Sequence, residues 1–591
     1  MKAKLLSVAV ALLALWAVPS AFADSGGSGG FQAGAQSAST NQAALGAAAS
    51  YQNAVNANVP VSIAGGNVTS GPSSATQTAT SDATTDVSNK AKTDQDQHLN
   101  QNIGGNSGCY AGCGGAGGFQ AGVQNAETNQ LAAGVAHSDQ NAVNANVPVS
   151  IAGGNVNSGP SSATQTASSS ANTDVSNKAK TDQDQSLHQN IGGGSCSLGC
   201  GGAGGFQAGI QDAQTNQLAV GVAKSDQNAV NANVPVSIAG GNVSSGPSSA
   251  TQTATSDATT DVSNKAKTDQ DQSLHQNLGD RWCGCEGRDM KTQCVAGCGG
   301  AGGFQLGVQK ADTNQIAAGA AFSNQNAVNS NTPVSTAGGN IYSGPSSATQ
   351  TATSNATTDV SNRSKTDQDQ WLHQDLGGKD CGCSKDGRDG KDSHDGLSAG
   401  SGGAGGFQAG IQAAETNQAA FGISKSDQNA VNGNAPVSTA GGNITSGPSS
   451  ATQTATSDAT TDVSNKAKTD QDQGLKQDIG GKGCGCRHDG KDGRGESKDS
   501  HDGLSAGSGG AGGFQLGAQL AETNQLAAGA AFSNQNAVNS NTPSSTAGGN
   551  IYAGPSSATQ RATSNAYTDV SNRAKTDQDQ WQRQQLPVSR I

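Results

Sequence analysis

Hydrophobic and polar residues alternate along much of this chain with a period of two. From Ala163 to Leu187, one parity reads Ala163, Gln165, Ala167, Ser169, Ala171, Thr173, Val175, Asn177, Ala179, Thr181, Gln183, Gln185 and Leu187. The intervening parity, from Thr164 to Ser186, is wholly polar and holds every charge of the stretch. Successive side chains of a β-strand point to opposite faces, so this period predicts one long strand. One face carries alanine, valine and amides; the other carries hydroxyls and charges.

The preceding stretch keeps the same period. Phe119, Ala121 and Val123, then Leu131, Ala133 and Val135, then Val143, Ala145, Val147, Val149 and Ile151 share one parity and make an apolar face. In another copy the middle triplet is Ala419, Phe421 and Ile423, so substitution keeps that face apolar. Helix is the rival for this half, which is rich in Ala, Gln and Glu. A four-residue step drifts by about 40° around a helix, so an apolar stripe running from 119 to 151 would circle the cylinder. A strand keeps one face throughout and is the better fit. Ala152-Gly153-Gly154-Asn155 and Ser158-Gly159-Pro160-Ser161 supply the residues of tight reversals. Pro148 restricts its run to an edge, a bulge or a bend.

The two halves form one module, and the chain contains six copies of it. The marker Gly-Gly-Phe-Gln places Phe31, Phe119, Phe206, Phe304, Phe407 and Phe514, and a Thr-Asp-Gln-Asp-Gln element ends at Gln97, Gln185, Gln272, Gln370, Gln473 and Gln580. Phe to Gln spans 67 residues in every copy, while start-to-start spacing runs from 87 to 107. Insertion is confined to the linkers. Paired strands cannot gain or lose a residue without flipping every side chain beyond it, so constant length indicates a folded module. The repeats are placed at 31–104, 119–193, 206–279, 304–378, 407–481 and 514–591. The linkers are Gly-rich, with charged inserts such as Ser384 to Gly390 and Arg487 to Gly503, and read as flexible spacers.

Composition changes what kind of core is possible. Only 32% of the 591 residues are apolar and 3% are aromatic, against roughly 45–50% apolar, counting glycine, in ordinary domains. A large oily core is excluded, leaving disorder or order through hydrogen bonding across equivalent layers. Inward Gln and Asn are costly alone. Stacked copies satisfy them, each amide bonding its twin about 4.8 Å away. The expected fold is all-β: a tandem-repeat β-solenoid, or stacked β-hairpin modules, joined by Gly-rich linkers. The alternatives are a largely disordered chain or modules with a helical first half.

Elements such as Ser138-Asp139-Gln140-Asn141-Ala142 and Gly153-Gly154-Asn155, in a chain mixing Gln, Asn, Gly and Ala, resemble the curlin-type secreted amyloid subunits. Curlin repeats are shorter and carry a Gln-x-Gly-x-Gly-Asn spacing that this module lacks. The resemblance implies surface fibre formation and assigns no individual residue.

Met1 to Lys4 followed by the apolar run Leu5–Val18 and Ala21-Phe22-Ala23 reads as a signal peptide over 1–23, with a mature chain beginning at Asp24. The run is short for a membrane span, and membrane insertion is not expected. The formal net charge of −12 argues against nucleic acid as a partner, which needs a basic face.

All twelve cysteines lie between the modules: Cys109 and Cys113, Cys196 and Cys200, Cys283 and Cys285, Cys294 and Cys298, Cys381 and Cys383, Cys484 and Cys486. Even counts per linker in an exported chain predict disulfides. Zinc on Cys283, Cys285, Cys294 and Cys298 is the rival. The Asp-Gly pairs of the linkers match neither an EF-hand nor a glycine-rich calcium repeat. Asp182 and Asp184 read as a solvated strand end rather than an acid/base pair. The eight histidines lack a partnered Cys, Ser or carboxylate pattern, and the Gly-rich tracts lack a phosphate-loop context. Neither an enzyme nor a cofactor is expected. The leading expectation is a secreted structural protein of the bacterial surface or matrix that self-associates, with other cell-surface components as possible partners. An adhesin array, a disordered stalk and an ice-binding surface built on rows such as Thr76-x-Thr78-x-Thr80 are the alternatives.

Overall fold

The computed structural model describes residues 29–104, 117–192, 204–278, 297–298, 302–376, 400–401, 405–479 and 512–585. The leader segment 1–23 and eleven of the twelve cysteines lie outside these residues. Among the described residues there is no helix, so the helical alternative for the first half of the module falls away.

Each module folds as two long strands joined by two short ones. In the second copy these are Gly117–Asn146, Val149–Ala152, Val156–Ser158 and Ser161–Gly192. The long strands are called leading and trailing below, and each module is one rung. The breaks fall at Val147-Pro148, at Gly153 to Asn155 and at Gly159-Pro160, where the reversal residues stand. Pro148 thus sits at a bend.

The two long strands of a module lie in different sheets and share no backbone ladder, so a module is not a β-hairpin. Every strand pairs instead with its counterpart in the next module, parallel and in register, giving four six-stranded sheets. Phe119 pairs with Phe31 and Phe206, and Gln165 with Gln77 and Gln252. The architecture is a β-solenoid in which leading and trailing sheets face each other. Ile103, at the end of one trailing strand, reaches Gly118 at the start of the next leading strand. Each linker therefore joins points already close together, which is why its length is free to vary.

The trailing sheet buries the parity expected of it. Ala163, Gln165, Ala167, Ser169, Ala171, Thr173, Val175, Asn177, Ala179, Thr181, Gln183, Gln185 and Leu187 are all buried. The leading sheet reverses what its apolar face leads one to expect. Gln120, Gln124, Ala126, Thr128, Gln130, Ala132, Ala136, Ser138, Gln140, Ala142, Asn144 and Asn146 are inside, whereas Leu131, Val135 and Val143 are exposed. The physical reason is the closeness of the two sheets. A Cβ added to Gly221 would lie 2.8 Å from Val262 Cγ2 and 2.9 Å from Thr260 Cγ2. Only small residues, or amides lying flat along the stack, fit on that side. Columns of Ala132, Ala219, Ala317 and Ala420 accordingly pack against Val175, Val262 and Val360. Larger aliphatics enter only toward the two ends of a rung, at Leu187 and Ile191 by the linker and at Ile341 and Ile444 in the short strands.

The sheets are also offset along the stack. Gln42 Nε2 donates to Lys90 O of its own rung at 3.0 Å, while Asn89 Nδ2 donates to Leu131 O of the next rung at 2.6 Å. Each trailing strand therefore nests between two leading strands.

Candidate functional site

Three surfaces bear on function: the buried ladders with their open ends, the outer trailing face and the outer leading face. The ladders come first because they define the ends.

Inside, amides bond their twins from rung to rung. Gln183 Nε2 donates to Gln95 Oε1 at 2.8 Å, Gln270 to Gln183 at 2.8 Å and Gln368 to Gln270 at 2.7 Å. The same amide also reaches a backbone carbonyl of the facing sheet, as in Gln183 Nε2 to Asp212 O at 3.1 Å. Gln165 and its counterparts form a parallel ladder at 2.8–3.0 Å. Asn144 Nδ2 donates to Asn231 Oδ1 at 3.0 Å, and Asn67 Oδ1 in the turn accepts from the Asn155 N–H at 2.8 Å. Outside, Phe rings stack at 4.8–5.3 Å through all six rungs.

The stack has two different ends. At rung 6 the trailing strand Ser556–Gln585 is exposed along nearly its whole length. Its interior counterparts donate to the next rung: Thr461 Oγ1 to Ala530 O at 2.9 Å, Asn465 Nδ2 to Leu526 O at 2.8 Å, Gln471 Nε2 to Leu520 O at 3.2 Å. Thr568, Asn572 and Gln578 hold these positions in rung 6, where no further leading strand follows among the described residues. At rung 1 the equivalents of the accepting residues are Ala47, Ala43 and Ser37. Donors at one end therefore match acceptors at the other.

The outer trailing face carries the threonine rows. Residues 76, 78 and 80 and their counterparts stack into three columns of six, threonine everywhere except Ser168 and Arg561. What one module offers as a short row becomes a plane, with a repeat of about 6.7 Å along the strands and about 4.8 Å between them.

Beside it run charged columns. Asp182 and its counterparts pair with lysines two residues earlier, as in Lys180–Asp182 and Lys267–Asp269. Asp184 and Asp174 belong to columns of aspartates with no such partner, so Asp182 and Asp184 occupy different environments on one face. Partial burial, then the stacked Asp369 and Asp184, push Asp271 up to about 6. Burial and stacked neighbours likewise raise Asp174, Asp184, Asp261, Asp359, Asp369 and Asp472 above the usual carboxylate range. His188 and His275 stack at 4.7 Å. Burial, then His373 and His188, lowers His275 to about 4, and burial lowers His373. Trp371 leans across Gly474 and stacks on Trp581 at 5.7 Å, beside the Asp184 column.

These shifts set a pH dependence. A carboxylate whose folded pKa is raised costs stability above that pKa, and the cost disappears as pH falls from about 7 toward the unfolded value of about 4. The two lowered imidazoles act oppositely, because the unfolded chain takes up their protons below about 6.5. Nine raised aspartates, Asp212 and Asp257 among them, against two lowered histidines and one lowered aspartate, Asp577, favour the carboxylates. The thermal midpoint is expected to rise between pH 7 and pH 5, and Asp271→Asn to raise the pH 7 midpoint. A lower midpoint at pH 5 would assign the balance to the histidines.

Of the candidate cysteines, Cys298 alone is described; its strand partner is Ser401. No disulfide and no metal-ligating cluster occurs among the described residues. Cys109, Cys113, Cys196, Cys200, Cys283, Cys285, Cys294, Cys381, Cys383, Cys484 and Cys486 lie outside them. His188, His275 and His373 share one column without a cysteine or serine partner, His98 stands across from Ser186, and His137 lies against Tyr51 on the leading sheet. The alternation did not reveal the Asp184 column or the outward apolar columns, which exist only once rungs are stacked. No protein-family model, curated protein or solved structure matches this chain.

Proposed function

We propose that this chain is an exported structural subunit that polymerises end to end into a cross-β fibre of the cell surface or matrix, without catalytic activity. The observation carrying this reading is the pair of open, complementary ends. A long flat edge strand is a template for another chain unless it is blunted by charge, proline or a covering element. Rung 6 instead offers Thr568, Asn572 and Gln578 as donors, and rung 1 offers Ala47, Ala43 and Ser37 as acceptors. An interface between unlike ends builds an open filament unless its rotation closes a ring, and in-register stacking along one axis continues without closing. The leader-like segment 1–23 supports export, and cysteine pairs between modules suit oxidised cross-linking on that route.

Purified mature chain is expected to form unbranched filaments under negative stain, to bind cross-β dyes and to elongate from added seeds. A chain that stays monomeric and folded at high concentration would refute polymerisation. Alkylation of the secreted protein without reductant is expected to find no free thiols.

The threonine plane favours a second reading, adsorption to a regular hydroxylated or crystalline surface such as ice. Inhibition of ice recrystallisation, lost on Thr253→Lys with Thr351→Lys, would support it. No inhibition by the wild-type chain would remove it.

A further inference from the structure

We infer that the outer face of the leading sheet is a self-association surface, and that its occupant is the same face of a second copy related by a twofold axis along the stack. This goes beyond end-to-end growth, because it uses a different surface and joins subunits side by side.

The face carries bands of apolar columns, separated by amide and charged columns, in an otherwise polar molecule. Leu218, Val230, Ile316 and Val328 project from the two central rungs with 38–47% of their surface exposed. Contiguous apolar surface on this scale marks an interaction site. Six strands of 30 residues make a face of roughly 2,800 Å² at about 3.3 Å per residue and about 4.8 Å per strand. That is more than three times the roughly 800 Å² per partner of a standard interface.

Charge and repeat select the partner. The lysines of this face are already paired with carboxylates two residues on, Lys224–Asp226 and Lys425–Asp427 both at 2.7 Å, with Lys310–Asp312 as the third pair. The face offers no surplus of positive charge to anionic lipid or nucleic acid. Its side chains repeat at the rung spacing, and a surface with the same repeat can interdigitate with it throughout, as in a steric zipper. A second copy supplies that repeat.

One strand also carries opposite charges at equal distances from its middle. Asp212 and Lys224 lie six residues before and after Leu218, which shares a central column with Ile316. A twofold axis along the Leu218 column lays each leading strand antiparallel on its partner with full overlap. It brings Asp212 toward Lys224 of the partner copy and the apolar columns together. The axis follows the stack, so both copies keep the same growth direction.

The test uses the full-length chain carrying Asn572→Asp, which blocks the rung 6 end, in sedimentation velocity. A concentration-dependent dimer is expected. Ile316→Lys with Leu218→Lys should weaken it at least a hundredfold, with the thermal midpoint unchanged because both side chains are outside. Thr253→Lys with Thr351→Lys, on the opposite face, should leave it intact. Asp212→Lys and Lys224→Asp should each weaken the dimer, and together restore it. These residues stand twelve positions and about 40 Å apart on one strand, so rescue has to arise between chains. The inference is overturned by a monomer at all concentrations, by a dimer indifferent to the leucine-face lysines, by absent rescue, or by a monomer that instead binds neutral phosphatidylcholine vesicles. Fibre formation by the wild-type chain is read separately, as filaments one stack wide if only the end-to-end proposal holds and two stacks wide if both do.

Discussion

Asn572→Asp is expected to abolish filament growth at concentrations where the unaltered chain polymerises fully. Asn572 accepts from Asn465 Nδ2 at 3.0 Å, and a carboxylate accepts that bond equally well, so rung 6 stays folded. Its other role is vacant in a single copy. By the pattern of Asn465, its Nδ2 would donate to the Ala43 carbonyl of the incoming rung 1. An aspartate there turns a donor into an acceptor and places a charge between the closing sheets. A buried polar group without a partner costs about 1–3 kcal/mol, and a charge costs more. Even about 2.7 kcal/mol raises the critical concentration about a hundredfold. Ser571→Asp, which adds the same charge on the outer face, should leave growth nearly unchanged. Seeded elongation followed by dye fluorescence reads both variants. Equal elongation by Asn572→Asp and the unaltered chain would show that the joint does not use these donors.

The complementary ends behind the proposed joint were not visible in the sequence, although the period of the long strands was. Alternation states that a strand has two faces; it does not state which one is covered. For the trailing strand the answer was legible, because one parity held all the charges. For the leading strand the apolar parity was the natural candidate for the interior, and it lies outside. A partial signal is variation among the six internal copies, although the outward columns of Phe119, Asn129, Asn141 and Val143 are constant as well. Gln120, Gln124, Gln130, Ser138, Gln140 and Asn144 are identical in all six rungs. The outward position of Val123 reads Ala35, Val123, Ile210, Val308, Ile411 and Ala518, and that of Asn125 changes from Ser37 through Asp212 and Lys310 to Leu520. A ladder fixes its residue, inside or out, because each amide needs an identical neighbour, as in the outward Asn129 column, whereas an outer position outside a ladder varies more freely.

The offset between the sheets had no such signal. It depends on how side chains of one sheet reach carbonyls of the other, a contact between modules rather than a property of any one. The offset is also what makes the ends unlike, since a trailing strand nests between two leading strands and rung 6 has only one. The proposed direction of growth thus follows from packing between rungs.

The sharpest test of the covered faces pairs two adjacent residues. Val262 is fully buried and packs in the column of Val175 and Val360 against Ala219 and Ala317. Val262→Asp puts a carboxylate among these apolar side chains, away from water. The cost is expected to exceed about 4 kcal/mol, the range reserved for buried unpaired charges and broken cores. Because rungs stabilise only their neighbours, that cost should separate the stack at rung 3 and leave shorter stacks of lower stability on either side. Asp261 is the next residue and points outward. It stands between Asp174 and Asp359 in a column where burial and like charge raise its pKa. Asp261→Val removes that repulsion and adds a β-branched side chain suited to a strand. The thermal midpoint at pH 7 should therefore rise slightly for Asp261→Val and fall steeply for Val262→Asp, with new proteolytic cleavage confined to the latter. At pH 5 the gain from Asp261→Val should shrink, because part of the repulsion it removes has already been relieved by protonation. Equal midpoints for the two variants would mean that the trailing strands do not hold one parity inside.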